Sequence, residues 1–294
     1  MADLAADAIR PRVRSAPSSF ISAIAWGYIF LIPYFVVFSL FVFFPIAYGF
    51  WLGSDPESYV KLWNDPIYLR TVKNTLVFVG ASVNIQMALA LVLSGFFVHE
   101  RRWIRFLSVI FILPYVIPAT ASILSVRWML NPDWGMVNSV LWYWFRIEPP
   151  WLTDPNFAMG SVVYVSVWRH MPFWGFALLA GRLAISKDLY EAAEIDGANS
   201  WQRFRFITWP GVKKLYIAAT VLGSIWALGE FNSIYLMTGG GPYDATHTLG
   251  TVGLRYAFHA HDLHTGVAVV LTAIPIMIPI VFYMLQQLKK GHDA

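Results

Sequence analysis

The sequence contains no cysteine among its 294 residues, which excludes a disulfide framework and any thiolate metal centre. Charge is scarce too. Asp, Glu, Lys and Arg make up 13% of the chain, against about a quarter in an ordinary soluble domain. The polar gaps between apolar stretches are too short for a soluble domain. A glycine-rich loop ending in Gly-Lys-Ser or Gly-Lys-Thr is missing, so ATP cannot be held in that way and energy must come from a partner. The net charge of +4 does not point to nucleic acid, because the basic residues are scattered among apolar runs instead of sharing one face. No nucleophile, base and orienting group form a set, and no catalytic residue is assigned.

What the chain has is apolar length: it is 57% hydrophobic, with 14 tryptophans. A helix needs about 20 apolar residues to cross a hydrocarbon core of roughly 30 Å. Six stretches qualify, near 24–50, 74–98, 104–130, 157–181, 212–238 and 266–288. The first, "AWGYIFLIPYFVVFSLFVFFPIAYGFWL", is too long for a signal-peptide core and reads as a retained span. The expectation is an all-α, polytopic membrane protein with six transmembrane helices. A cytoplasmic tail covers 1–22 and a membrane domain covers 23–290.

Basic residues orient the spans. Arg10, Arg12 and Arg14 precede the first, Arg101, Arg102 and Arg105 follow the second, and Lys289 and Lys290 follow the last. Arg182, Lys187, Arg203, Arg205, Lys213 and Lys214 flank the loop after the fourth. The other side holds fewer, with Trp and Tyr crowded around 134–151 as an interfacial belt. Both termini and that loop are therefore expected in the cytoplasm. Prolines 33, 45, 114, 118, 172, 275 and 279 punctuate the spans; they fit either tolerated kinks or broken helices around a path.

The loop itself, "EAAEIDGANSWQRFRFITWP" (191–210), sits within an orderly polar stretch. Residues 188–196 favour a helix, with Asp188 placed to cap it or to favour its positive N-terminal end; Gly197 interrupts it, and Ser200 is placed to cap a second helix that Pro210 ends. Ala192, Ala193, Gly197 and Ala198 are small enough for close approach of another surface. Phe204, Phe206 and Ile207 offer apolar anchors, and Glu191, Glu194, Asp196, Arg203 and Arg205 a polar rim. Residues alone leave two readings, a docking surface or a helix lying at the membrane interface.

Ionisable groups inside spans mark functional positions. Span four carries Ser166, Arg169, His170 and Phe173 at i, i+3, i+4 and i+7, and span five carries Gly223, Trp226, Ala227 and Glu230 at the same spacing, each set on one helix face. Either these faces line a path, or Arg169 and Glu230 pair with each other, or Arg169 meets a neighbouring subunit. Asn84, Gln86 and Ser122 read as interhelical hydrogen-bonding groups. His259, His261 and His264 lack a supporting shell and read as surface residues, with no metal assigned.

The pattern Glu191-Ala192-Ala193, Gly197, Ile207, Pro210 resembles the signature of permease subunits of binding-protein-dependent ABC importers, with Trp209 where that family usually has Leu. "ILPYVIPATASIL" (112–124), "WLTDP" (151–155), "DLYEAAEIDGA" (188–198) and "TGGGPYDATHTL" (238–249) are similar to the carbohydrate-uptake, maltose/glycerol-phosphate-type branch, in its smaller members. The resemblance implies the type I importer permease fold, with coupling helices at about 188–210 that dock on an ATPase. It implies a bacterial inner-membrane subunit that pairs with a second permease, two cytoplasmic ATPases carrying ATP and Mg, and a periplasmic binding protein. It places substrate contacts on Ser166, Arg169, His170, Phe173, Gly223, Trp226, Ala227 and Glu230. The cargo is then a sugar or sugar derivative, and an anionic one if Arg169 meets it. The competing expectation is a proton-coupled secondary transporter relaying through Arg169, His170 and Glu230.

Overall fold

The computed structural model describes residues 19–99 and 101–290, and all regular structure among them is helical. The chain divides after Trp51 into two units. The first holds α1 (Ser19–Phe38), a π-helical turn at Ser39–Phe43, and most of α2 (Phe44–Leu52). It matches the first predicted span. Most of the predicted tail lies outside the described residues, and the helix has already begun at Ser19.

In the second unit three helices start on an Asp-Pro pair: α3 (Pro56–Trp63), α4 (Pro66–Phe97) and α8 (Pro155–Leu183). Asp55, Asp65 and Asp154 each accept backbone N–H groups of the first turn, while the following proline supplies a helical φ where no N–H is needed. The third predicted span is not one straight helix. It divides into α5 (Arg102–Val116) and α6 (Ala119–Met129), bent by 98°. Pro118 explains the elbow, because a proline drives the preceding residue out of helical conformation, and Ile117 is extended at ψ 136°. The aromatic helix α7 (Met136–Phe145) follows.

The fifth predicted span is broken as well. After α9 (Lys187–Ile195), α10 (Ser200–Arg203) and a π-helical turn at Phe204–Thr208, α11 runs only from Trp209 to Leu228. A break at 229–231 leads to α12 (Asn232–Thr238). The chain then forms α13 (Leu249–Leu254), a third π-helical turn at Arg255–His259, α14 (Leu263–Leu271) and α15 (Ala273–Lys290). Among the described residues four helical stretches are long and apolar enough to cross a membrane, or five if the bent pair is one span. The fourth predicted span, α8, is outside that set. It packs along α4 and against α5, α11 and α12, and a helix so enclosed by protein need not be apolar on every face.

Phe78 and Met87 of α4, Ile123 of α6, Val165 and Leu178 of α8, and Ile234 and Met237 of α12 form the fully buried core. Truncating one of the larger of these to Ala costs about 2–5 kcal/mol. Leu62, Leu249, Val252 and Val269 form a smaller cluster. Asn84 and Ser122 do not bond between helices as expected: they donate to Gly80 and Ala119 carbonyls of their own helices.

Candidate functional site

The 186–210 segment is a tightly closed knuckle. Ser186, not Asp188, caps α9, accepting the Asp188 amide at 3.3 Å. Asp188 instead places its charge in the first turn, against the positive end of the helix. At the other end Gly197 takes φ +76°. The Ala198 amide donates to Ala193 at 2.8 Å and the Gly197 amide to Glu194 at 3.1 Å, the paired closure that a left-handed glycine permits. Asn199, one residue before the predicted Ser200, caps α10 in a reciprocal box with Gln202, at 2.9 and 2.8 Å. Pro210 does not end the element: the π-helical turn runs into α11, and Pro210 falls in that helix's first turn. Arg203 to Glu194 at 3.6 Å and Tyr190 to Thr208 at 2.9 Å tie the two arms.

Of the expected anchors, Phe206 is 70% exposed. Phe204 and Ile207 are half-buried, and Phe204 stacks on Trp201 at 5.5 Å. Glu191, Ala192, Asp196 and Gly197 are exposed around them, with Ala193 and Ala198 half-buried. The most prominent apolar group was missed by the sequence reading: Ile195 is 88% exposed, with Leu189 and Trp201 also exposed. Its signal was an aliphatic residue just ahead of a helix-ending glycine.

The second site lies between α4, α8 and α11. Ser166, His170, Gly223, Trp226, Ala227 and Glu230 converge, as predicted, on a cavity of about 20 Å³. That is room for about one water molecule. Ser82, Gln86 and Trp174 complete the lining. None of the three was selected from sequence as a site residue, although two polar residues one turn apart in an apolar span, Ser82 and Gln86, were a usable signal. Phe173 stands beside the cavity, its ring 5.4 Å from Trp226 and 4.9 Å from Trp174.

Glu230 is not on the helical face assigned to it, since α11 ends at Leu228. Its Oε1 accepts the Ser233 amide at 2.8 Å, satisfying a free N–H in the first turn of α12, while Oε2 lies 4.0 Å from His170 Nε2. His170 Nδ1 is 2.9 Å from the Ser166 carbonyl. A carbonyl only accepts, so Nδ1 carries the proton and Nε2 is the nitrogen that faces the carboxylate. Arg169 does not pair with Glu230; its Nε is buried without a hydrogen-bond partner. A half-buried guanidinium left in this state retains strong capacity for an acceptor.

The loop after α12 is braced from several elements. Arg255 meets the Asp244 carboxylate at 2.5 Å, Arg70 donates to the Tyr243 carbonyl at 2.8 Å, and Asn74 to the Asp244 carbonyl at 3.2 Å. Burial pushes the His247 pKa down, against Asp244, 3.5 Å away, which pulls it up. The three sequence-flagged histidines do separate things: His264 Nδ1 contacts the Leu52 carbonyl at 2.9 Å, His259 ends a π-helical turn, and His261 has positive φ. A larger cavity of about 840 Å³, lined by Ile117, Ser125, Met129, Trp151, Tyr164 and Trp168 among others, contains none of the predicted site residues.

Helices long and apolar enough to cross a membrane, a small polar cavity between three elements and an exposed knuckle at a helix junction are the build expected of a transport permease. The chain belongs to the family of binding-protein-dependent transport system inner membrane components, matched over residues 86–288. It is accordingly a multi-pass inner-membrane protein and a non-catalytic subunit of an ABC importer. The trehalose/maltose transport system permease protein MalF of Thermococcus litoralis is 32% identical over 259 residues, covering 83% of this chain and 86% of that protein. The sulfoquinovosyl glycerol transport system permease protein SmoG of Agrobacterium fabrum is 31% identical over 237 residues, covering 79% and 76%. Among solved structures, a bacterial ABC transporter involved in the import of the acidic polysaccharide alginate superposes with TM-score 0.80 at 22% identity, covering 92% of this chain and 98% of that one.

Proposed function

We propose that this chain is one permease of a two-permease sugar importer, with both termini and the 186–210 knuckle in the cytoplasm. A periplasmic binding protein delivers the cargo, and two ATPase subunits carrying ATP and Mg drive the cycle. The observation that carries this reading is the knuckle. Ile195, Leu189, Trp201 and Phe206 stand exposed on a frame locked by Gly197, two caps and an ion pair, which is the build of a preorganised docking surface. Rigid-body closure of the motors would be transmitted through it to α8 and α11. Crosslinking from a single cysteine at position 195 tests it. Capture of the ATPase is the expected result, and a scrambled 191–207 segment that leaves assembly and coupled hydrolysis intact refutes it.

The path runs by the cavity of Ser166, His170, Gly223, Trp226, Ala227 and Glu230, with Phe173 and Trp226 offering apolar faces to a sugar ring. The cargo is a sugar or sugar derivative, as the names of the relatives support. The unpaired Arg169 favours an anionic one. The facing of His170 and Glu230 is the one observation that favours a proton relay. Uptake that stops on collapse of the proton gradient, with ATP intact, would establish it instead.

A further inference from the structure

Gln86 of α4 lines the cavity with its amide, yet α4 is neither of the two helices from which a substrate path was read. The residue is 4% exposed, and among the described residues no hydrogen bond joins its amide to another group; the amide borders the cavity instead of being sealed from it. An amide that borders a small cavity without a protein partner keeps its donors and its acceptor for whatever enters that space. Hydrophobic cores avoid such groups unless something else satisfies them. The same cavity is lined by the His170 imidazole of α8, the Glu230 carboxylate of the break after α11, and Gly223 of α11, where an added Cβ would sit 3.4 Å from Gln86 Nε2. Ser82, one turn earlier, donates to the Phe78 carbonyl at 2.6 Å, leaving its lone pairs to accept.

We propose that Gln86 is a specificity-determining residue, whose amide hydrogen-bonds a hydroxyl of the passing sugar opposite His170 and Glu230. The inference rests on the reading of this cavity as part of the sugar path. In the conformation described here the space of about 20 Å³ is closed to a sugar. Separation of Trp226 and Glu230 from α8 opens it, and the primary amide then offers two donors and an acceptor to a vicinal diol. Removing it leaves the cargo's hydroxyl desolvated at that point, the kind of loss that separates related sugars.

The test uses the whole transporter with its binding protein in proteoliposomes. Radiolabelled maltose, trehalose, lactose and a glucuronate-containing disaccharide are the probes, read as sugar moved per ATP hydrolysed. Gln86→Leu is expected to lower that ratio by about 3–10-fold, with Gln86→Asn in between, while hydrolysis stimulated by the liganded binding protein persists. A ratio unchanged in Gln86→Leu, or uptake and hydrolysis falling by the same factor, overturns the proposal. Because the natural chain has no cysteine, Gln86→Cys gives this subunit one thiol. Its modification by a methanethiosulfonate is expected to slow at least threefold during turnover with a transported sugar, and Asn84→Cys to be unaffected; absence of protection at 86 also overturns it. If the unaltered transporter moves none of the four probes, the sugar reading itself falls, an outcome distinguishable from failure at Gln86.

Discussion

His170 Nε2 lies 4.0 Å from Glu230 Oε2, across the gap between α8 and the break that separates α11 from α12. The same carboxylate holds the Ser233 amide. One side chain thus joins the cavity wall to the start of α12.

This double duty separates two variants. Glu230→Gln keeps an oxygen for Ser233, whereas Glu230→Ala leaves that N–H unsatisfied. The alanine variant is expected to be less stable by about 1 kcal/mol relative to the glutamine variant, read as a lower thermal unfolding midpoint of the purified complex. Equal midpoints would remove the capping role.

Two glycines at positive φ should respond differently to alanine. Gly197 has open space around it, so Gly197→Ala carries only the left-handed penalty of about 1–2 kcal/mol. It should weaken ATPase coupling and leave the membrane helices folded. At Gly240 an added Cβ would lie 2.1–2.3 Å from the His247 ring, and Gly240→Ala should fail to yield folded protein. Comparison of the two by size-exclusion yield decides this.

On the knuckle, Ile195→Asp places a charge at the most exposed apolar group. Hydrolysis stimulated by the binding protein is expected to drop at least tenfold, with normal membrane insertion, and Ile195→Leu to behave as the natural chain. A docking hot spot is worth at least 2 kcal/mol on truncation.

Arg169→Ala should lower uptake of anionic sugars more than neutral ones, and Arg169→Lys should restore part of it, since charge survives but not the planar fork. Equal uptake of both classes in all three proteins would dismiss the anionic cargo.

Acid should loosen the loop after α12. Burial holds His247 below its ordinary 6.5, so the neutral ring belongs to the folded state. Its contribution is complete above 6.5 and declines as pH falls from there toward the depressed folded value. Asp244 and Arg255, the charged neighbours, act on it in opposite directions. Asp262 behaves likewise at lower pH. Burial opposes its ionisation, but Lys61 and Thr265 outweigh that and bring it from 3.8 to about 2, so its stabilisation is present above 3.8 and vanishes as pH drops through about 2. Unfolding midpoints measured from pH 7.5 to 5 should slope in the natural protein and flatten in His247→Gln.

Much of the site could be read before the fold was known. Residues 166, 170, 223, 226, 227 and 230 do meet: on α8 the polar face of an apolar helix turns inward, and Glu230 reaches the same space from the break after α11. Phe173 falls beside the cavity instead, Arg169 is not in its lining, and Trp174 is on its wall. A spacing rule gives a face, but helix packing rotates it by tens of degrees. Gln86 read only as an interhelical hydrogen-bonding group, because its place on the cavity depends on which helix lies opposite.

Apolar run lengths and scarcity of charge settled, without coordinates, that this is a helical membrane chain, since a long apolar run in lipid must satisfy its own backbone and a charge there is costly wherever it packs. The knuckle also announced itself locally, through a glycine and caps that act within a few residues. Pro118 likewise bends one span through its effect on the residue before it, whereas which side chains share one small cavity, Gln86 facing Gly223 among them, was decided by packing between distant segments, contacts that have no expression along the chain.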